Sequence, residues 1–397
     1  METIRELYKA GPGPSSSHTL APYRACKMFL EEYPDVSSVN IELYGSLSLT
    51  GKGHFTDYII KKTFADIPCS IDFKLDWDEE FPSGFYLYGK VNGKIIKWTV
   101  FSIGGGTIKI REKDFAIACP YQEKSLVEIK KRCQKEGWSL CDYVYQHEDD
   151  NIRDYLKMIL KTMDSCVEKG LQVEGFLPGS IKIERCASKL YQKAISENDQ
   201  QMQNRLFLMA YAYSANEQNA DRDIVVTAPT DGSCGVMASL MYYCKHNLGF
   251  DDEKLIDSLA VASIFGNLIK ENATISGAMG GCQAEIGTAC SMAAAAYAYL
   301  LNLSMDQIEY AAEIAMEHHL GLTCDPVHGL VIIPCIERNA VAVIRAIDAA
   351  VLSKYKFDIS PNIVSFDTII NTMKDTGKMI PRELKETSLG GLATKVQ

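Results

Sequence analysis

Three of the thirteen cysteines sit in unusual company. Cys282 lies in SGAMGGCQAEIG, Cys324 in LGLTCDPVHGL and Cys335 in VIIPCIERNA. Glycine, proline or a short polar motif flanks each one, which marks backbone turns rather than helix interior. The spacing is Cys-x41-Cys-x10-Cys. It is neither the tight C-x-x-C-x-x-C ladder of electron-transfer iron–sulfur proteins nor the paired C-x-x-C of a structural zinc site. Three thiolates from separate loops suit a 4Fe–4S cluster with one iron left open. Such an iron is a Lewis acid, able to bind a substrate hydroxyl and carboxylate and to make the hydroxyl a better leaving group. Spacing alone leaves a plainer reading standing, because free cysteine is often a small buried hydrophobe. That plainer reading is the one for the other ten cysteines, Cys290 included.

Two of the seven histidines stand in informative places. His18 follows Ser15, Ser16 and Ser17 and precedes Thr19, just ahead of a helical pattern. Serine and threonine there cap a helix, and the free N–H groups of such an end favour an anion such as a substrate carboxylate. Ser16, Ser17 and Thr19 are therefore candidate substrate contacts; the competing reading is simple capping. His54 lies in the glycine-rich run Thr50–Asp57, where backbone comes close to a ligand and Asp57 is placed to orient the imidazole. The competing reading is a satisfied surface or core histidine. Gly51-Lys52-Gly53 is not a phosphate-binding P-loop, since it lacks G-x-x-x-x-G-K-[ST]. Thr230, Asp231 and Gly232 belong to a loop that opens a helix and are further candidates for substrate contact. Asn272, Ser276, Glu285, Asp325, Glu337 and Arg338 crowd the cysteines in sequence and read either as hydrogen-bond partners of a bound cluster or as helix caps.

These residues need two kinds of scaffold. Residues 1–148 read as mixed α/β. A helix is expected over Leu20–Tyr33, a strand over 39–44, and a hairpin around Asn92-Gly93, the residue pair that favours a two-residue type I′ turn. Gly104–Gly106 precede another short strand, TIKI, and helical patterning resumes near Ser125. The polar stretch YQHEDDN supplies a boundary near 148. Residues 149–397 are rich in Ala, Leu and Met, with helical periodicity over 203–219, 253–269, 287–302 and 306–319. The expected fold class is α+β: an N-terminal mixed α/β domain followed by a larger all-helical domain that carries the cysteines.

Length and composition narrow the function classes. The 397 residues suit two domains, and the 47% apolar and 23% charged fractions are those of an ordinary globular chain. A net charge of −10 and the lack of a basic run longer than KKRCQK argue against nucleic-acid partners. The most apolar stretch, 289–303, is shorter than a membrane span and reads as a buried helix. With no secretory signature at the N-terminus, a cytoplasmic location and reduced thiols are expected. Pyridoxal-phosphate chemistry fits poorly: Gly104–Gly106 followed by Lys109 lies between strands, not at a helix start.

The segments SGAMGGCQAEIGTACSMAAAA, EHHLGLTCDPVHGLVIIPCIERNA and KETSLGGLATKVQ resemble the signature segments of the iron–sulfur L-serine dehydratases. So do GPGPSSSHTLAPYRA, LYGSLSLTGKGHFTD, GFLPGSIKIERCA and NEQNADRDIVVTAPTDGSCGVMASL, so the likeness runs over nearly the whole chain, in the single-chain form that fuses β and α parts. The resemblance implies a catalytic 4Fe–4S cluster with Cys282, Cys324 and Cys335 at the three ligand positions, and His18 and His54 beside it. It implies conversion of L-serine to pyruvate and ammonia, with His54 as the base and His18 assisting the leaving hydroxide or holding the substrate. A homodimer is implied as well. His319 and His328 depart from the family pattern, and the chain stops at Gln397 where many relatives carry a further cysteine; either a truncation or a branch without that cap is expected. A cluster-dependent cysteine desulfidase and a non-catalytic iron–sulfur sensor are the alternatives.

Overall fold

The computed structural model describes residues 1–81, 83–113, 117–360, 362–387 and 389–396. Ser388 and Gln397 of the C-terminal motif lie outside them. Seven strands occur among the described residues: β1 (Ala10–Pro12), β2 (Val36–Gly45), β3 (Cys69–Phe73), β4 (Ser83–Val91), β5 (Lys94–Gly104), β6 (Thr107–Ile110) and β7 (Ile224–Val226). The first helices are α1 (Ala21–Glu32), α2 (Ser46–Leu49) and α3 (Thr56–Phe64). The helical half adds α4 (Leu126–Glu136), α5 (Leu140–His147), α6 (Ile152–Gly170), α7 (Ala187–Ser196), α8 (Gln200–Ala220), α9 (Cys234–His246) and α10 (Asp252–Asn272). It is completed by α11 (Gly277–Gly280), α12 (Thr288–Leu300), α13 (Met305–Glu317), α14 (Cys335–Lys356) and α15 (Phe366–Met379). The α+β class expected from the sequence is the one observed.

Five strands form one sheet in the order β3-β2-β4-β5-β6, parallel between β2 and β3 and antiparallel elsewhere. The β4–β5 hairpin turns at Asn92 and Gly93, whose φ values of 49° and 79° are both positive, as a type I′ turn requires. α1 and α3 pack together beside the sheet, with Phe29 of α1 and Phe64 of α3 buried in one apolar cluster with Trp98 of β5. Phe29 meets Trp98 edge to face at 4.9 Å.

In the helical half, α12 carries the run Ala293–Ala296 and is buried nearly all round. A helix without a polar stripe belongs at the centre of a domain, and its small side chains let α9, α10, α13 and α14 all pack against it. The apolar clusters do not follow a single cut near 148. Met1–Tyr8 and the buried residues of α4 and α5 pack into the helical core, while the sheet cluster runs from Ala21 to Ile110.

The two halves are joined by a seam. β1 pairs antiparallel with β7, Gly11 opposite Val225. The Thr227 hydroxyl donates to the Leu7 carbonyl (2.6 Å) and accepts from the Lys9 N–H (2.9 Å). Lys9 Nζ, buried, donates to the Gly105 carbonyl at 3.0 Å and so ties the glycine loop after β5 to the same seam. Just past β1, Gly13 leaves no room for a side chain: a Cβ there would sit 2.1 Å from Asn219 Oδ1 and 2.4 Å from the Asn219 carbonyl oxygen. Gly13→Ala is expected to lower stability by about 1–3 kcal/mol in urea unfolding, since overpacking forces backbone to move. Gly93→Ala, at an open turn with nothing within 4 Å, is the control and should cost about 1 kcal/mol or less through its positive φ alone.

Candidate active site

One small cavity lies where the seam, the sheet domain and the helical half meet. Cys282, Cys324 and Cys335 all line it. Cys282 follows α11 and caps a short π-helical turn, Gln283–Gly287; such turns recur at functional sites. Gly281 takes φ +74°, and a Cβ on it would lie 2.7 Å from the Leu322 carbonyl oxygen. Only glycine lets this turn approach the 322–324 segment so closely. Cys335 is the first residue of α14. Cys324 is held by the C-terminal segment: its N–H donates to the Leu384 carbonyl (2.8 Å), and its carbonyl accepts the Glu386 N–H (2.6 Å).

The thiols are electrostatically linked. The Sγ atoms of Cys282 and Cys324 and a Glu285 carboxylate oxygen lie within 4.8 Å of one another. A hydrogen bond from Cys324 lowers the Cys282 thiol pKa, with the Arg338 guanidinium adding to the effect. Cys324 moves the other way, because it keeps the shared proton and is buried. Burial raises Cys335 too, and the neighbouring Cys282 adds to it. Thr230 Oγ1 donates to Glu285 Oε1 at 2.7 Å, and Asn339 Nδ2 ties the Gly232 carbonyl to the start of α14 at 2.8 Å. Burial also raises the Glu285 carboxyl.

The imidazole side comes from the sheet domain. His54 Nδ1 lies 3.0 Å from the Thr50 carbonyl oxygen. A carbonyl only accepts, so Nδ1 carries the hydrogen and Nε2 presents its lone pair. Nε2 is buried and has no partner among the described residues, and His54 lines the cavity. Burial pulls its pKa down, so the ring is neutral. His18 stacks behind it, ring centroids 4.3 Å apart and 18° from parallel. Both His18 nitrogens are occupied: Nδ1 accepts from Ser15 Oγ (3.1 Å), and Nε2 faces the Ser46 carbonyl (3.2 Å) and Thr50 Oγ1 (2.9 Å).

The candidates read from the sequence fall into two groups. Ser16, Ser17, His54, Thr230, Gly232 and the three cysteines line the cavity. His18, Thr19 and Asp231 lie behind its wall. The Thr19 hydroxyl is spent on the Pro12 and Ser15 carbonyls. Asp231 is fully buried with neither carboxylate oxygen partnered among the described residues, and burial raises its pKa. Asp57 does not orient His54; it accepts from its neighbour Tyr58 N–H, and the Thr50 carbonyl takes the orienting place. Asn272 bonds to the Lys124 carbonyl and Glu337 is exposed, so neither meets the cysteines. Ser276 lines the cavity, and Asp325 accepts the Leu392 N–H at 2.8 Å. His328 is exposed, its ring 3.0 Å from Ser180 Oγ. Cys290 is buried, 3.2 Å from the Ala342 carbonyl, as a core residue.

Glu386 was not singled out by its sequence. It follows Lys385 in the C-terminal motif, lines the cavity, and brings a carboxylate oxygen within 4.8 Å of ring nitrogens of His18 and His54. Burial, with Glu285 and Cys282 nearby, pushes its carboxyl up to about 8. The only sequence signal was its place in KETSLGG, which says nothing of where the tail folds.

Three buried thiols and an imidazole lone pair lining one cavity of an α+β chain are the arrangement of an enzyme. The chain belongs to the serine dehydratase family: the serine dehydratase beta-chain model matches residues 3–72 and the alpha-chain model residues 89–393. It is 37% identical to L-serine dehydratase 2 of Escherichia coli over 100% of this chain and 99% of that one. It is equally 37% identical to the L-serine dehydratase of Streptomyces coelicolor, over 99% of each chain. The Helicobacter pylori L-serine dehydratase shares 36% identity over 98% of each.

His319 is buried near the cysteine turn, its Nδ1 donating to the Ala315 carbonyl at 2.7 Å, and burial pushes its pKa down to about 4. The folded value lies below the unfolded value of about 6.5. The stability is therefore fully present above about pH 6.5 and is lost as pH falls toward about 4. His319→Asn should remove roughly 3 kcal/mol of the stability difference between pH 7 and pH 4, read from urea unfolding at both.

Proposed function

We propose that this chain is an L-serine dehydratase, converting L-serine to pyruvate and ammonia without pyridoxal phosphate. The observation that carries the reading is the meeting of Cys282, Cys324, Cys335 and the free Nε2 of His54 at one buried cavity, in a chain alike over its full length to proteins named for that reaction.

The donor set fits a 4Fe–4S cluster. Three buried thiols face one space, two of them share a proton, and Arg338 stands beside Cys282 to offset negative charge. Cys282, Cys324 and Cys335 would hold the cluster. Bound there, it supplies a Lewis acid for the substrate hydroxyl.

The chain's own residues do the rest. Ser16 and Ser17, which line the same cavity, receive the substrate carboxylate. Thr230 and Gly232 bound the substrate on the side of Glu285. His54 Nε2 takes the α-proton, and the Thr50 carbonyl, holding Nδ1–H, stabilises the imidazolium that forms. His18 keeps the His54 ring in plane from behind. The proton passes from His54 to the departing hydroxide, giving water and 2-aminoacrylate. Aminoacrylate then tautomerises and hydrolyses to pyruvate and ammonia.

In a division at 148, the base comes from the first part and the thiols from the second. The reading carries with it a cytoplasmic location and a homodimer. Thirteen free cysteines suit a reducing compartment. No helix among the described residues is long and apolar enough to cross a membrane.

Proton transfer by a placed side chain is worth about 10²- to 10⁴-fold. In anaerobically reconstituted enzyme, His54→Ala should lower pyruvate formation from L-serine by about that factor with iron content unchanged. Wild-type turnover in a cluster-loaded His54→Ala enzyme removes it as the base. Pyruvate from L-cysteine but not from L-serine would replace the dehydratase reading with a desulfidase.

A further inference from the structure

The mechanism above leaves one group of the substrate without a partner. L-serine carries an α-ammonium on the same carbon that loses its proton. A cation brought into a buried cavity needs a charged partner there. Two carboxyl side chains line the cavity among the described residues, Glu285 and Glu386. Glu285 is committed to the thiol corner: Oε1 accepts from Thr230, and Oε2 lies 4.0 Å from Cys324 Sγ. Glu386 stands on the imidazole side.

We propose that the side chain of Glu386 receives the α-ammonium of the substrate and so restricts the cavity to amino acids. The assignment rests on the reading of the substrate as L-serine.

Distances support it. A Glu386 oxygen and the ring nitrogens of His18 and His54 fall within 4.8 Å of one another. The amino nitrogen lies about 1.5 Å from Cα. A charge-assisted N–H···O contact spans about 2.7–2.9 Å, and a base approaches the reacting carbon to about 3–3.5 Å. An amino acid whose Cα–H faces His54 thus has its ammonium in reach of Glu386. One contact would set both specificity and the angle at which the proton is presented.

The backbone is arranged to aim this side chain. Glu386 takes φ 58°, the left-handed region that non-glycine residues avoid. That conformation is held because its N–H is bonded to the Cys324 carbonyl, while Cys324 N–H holds Leu384 two residues earlier. The tail is clamped on both sides of a cysteine, and the residue that follows Lys385 is turned inward.

The test uses anaerobically reconstituted holoenzyme and two ligands that report binding by calorimetry. L-alanine keeps the ammonium and carboxylate but has no leaving group; L-glycerate keeps the carboxylate and hydroxyl but has no ammonium. Glu386→Gln should weaken L-alanine roughly 10- to 100-fold and leave L-glycerate within about 3-fold, with iron per chain unchanged. Glu386→Asp, which keeps the charge, should recover part of the L-alanine affinity. Equal weakening of both ligands, no weakening of either, loss of iron, or an Asp variant no better than Gln would each overturn the assignment. Wild-type protein that forms no pyruvate from L-serine sinks the functional reading instead. Pyruvate formation with L-alanine binding indifferent to residue 386 sinks only this one.

Discussion

The cavity depends on a three-residue antiparallel pairing, β1 against β7. It helps join the sheet domain that carries His54 to the helical half that carries the cysteines. The pairing alone is short, and a two-stranded ribbon is weak in isolation. The Thr227 hydroxyl, bonded to Leu7 and Lys9, and Lys9 Nζ, bonded to the glycine loop, make it a fixed corner. The chain then turns at Gly13, so close to Asn219 that a Cβ is excluded, and delivers the serine run to the cavity wall. A second closure comes from the other end of the chain, where the 384–386 segment straddles Cys324. The site is complete only when both closures are made.

The same region holds groups that do not serve stability. His54 Nε2, both Asp231 oxygens and Asn339 Oδ1 are buried without partners among the described residues. Each such atom costs about 1–3 kcal/mol relative to a satisfied one. They gather around the cavity, where a neutral imidazole with a free lone pair is useful and where His18 and His54 both have lowered pKa values. The Ala-lined packing around α12 carries that burden from below.

Much of this was legible in the residues. Alternation over β2, the Asn92-Gly93 turn and the helical periods of α8, α10, α12 and α13 depend on neighbours in sequence, and they appear as read. The three cysteines were marked by the turn residues beside them. What sequence did not convey depends on partners far along the chain. His18 and His54 stand in similar polar loops, yet one has both nitrogens bonded and the other does not; only the fold of Thr50 and Ser46 decides this. Asp57 was close to His54 in sequence and still turned away. Glu386 sits in a tail with no periodicity, and nothing local shows that Cys324 captures it. The helices α4 and α5 follow the sheet domain in order but bury their apolar faces in the helical core, which no composition shift announces.

The central claim is that Cys282, Cys324 and Cys335, and not the other thiols, hold one inorganic centre. Counting iron and acid-labile sulfide in anaerobically reconstituted single variants tests it directly. The account predicts about four of each per chain in the wild type and in Cys290→Ala, and a marked loss in Cys282→Ala, Cys324→Ala and Cys335→Ala. A full complement in any of those three, or its loss in Cys290→Ala, would contradict the account.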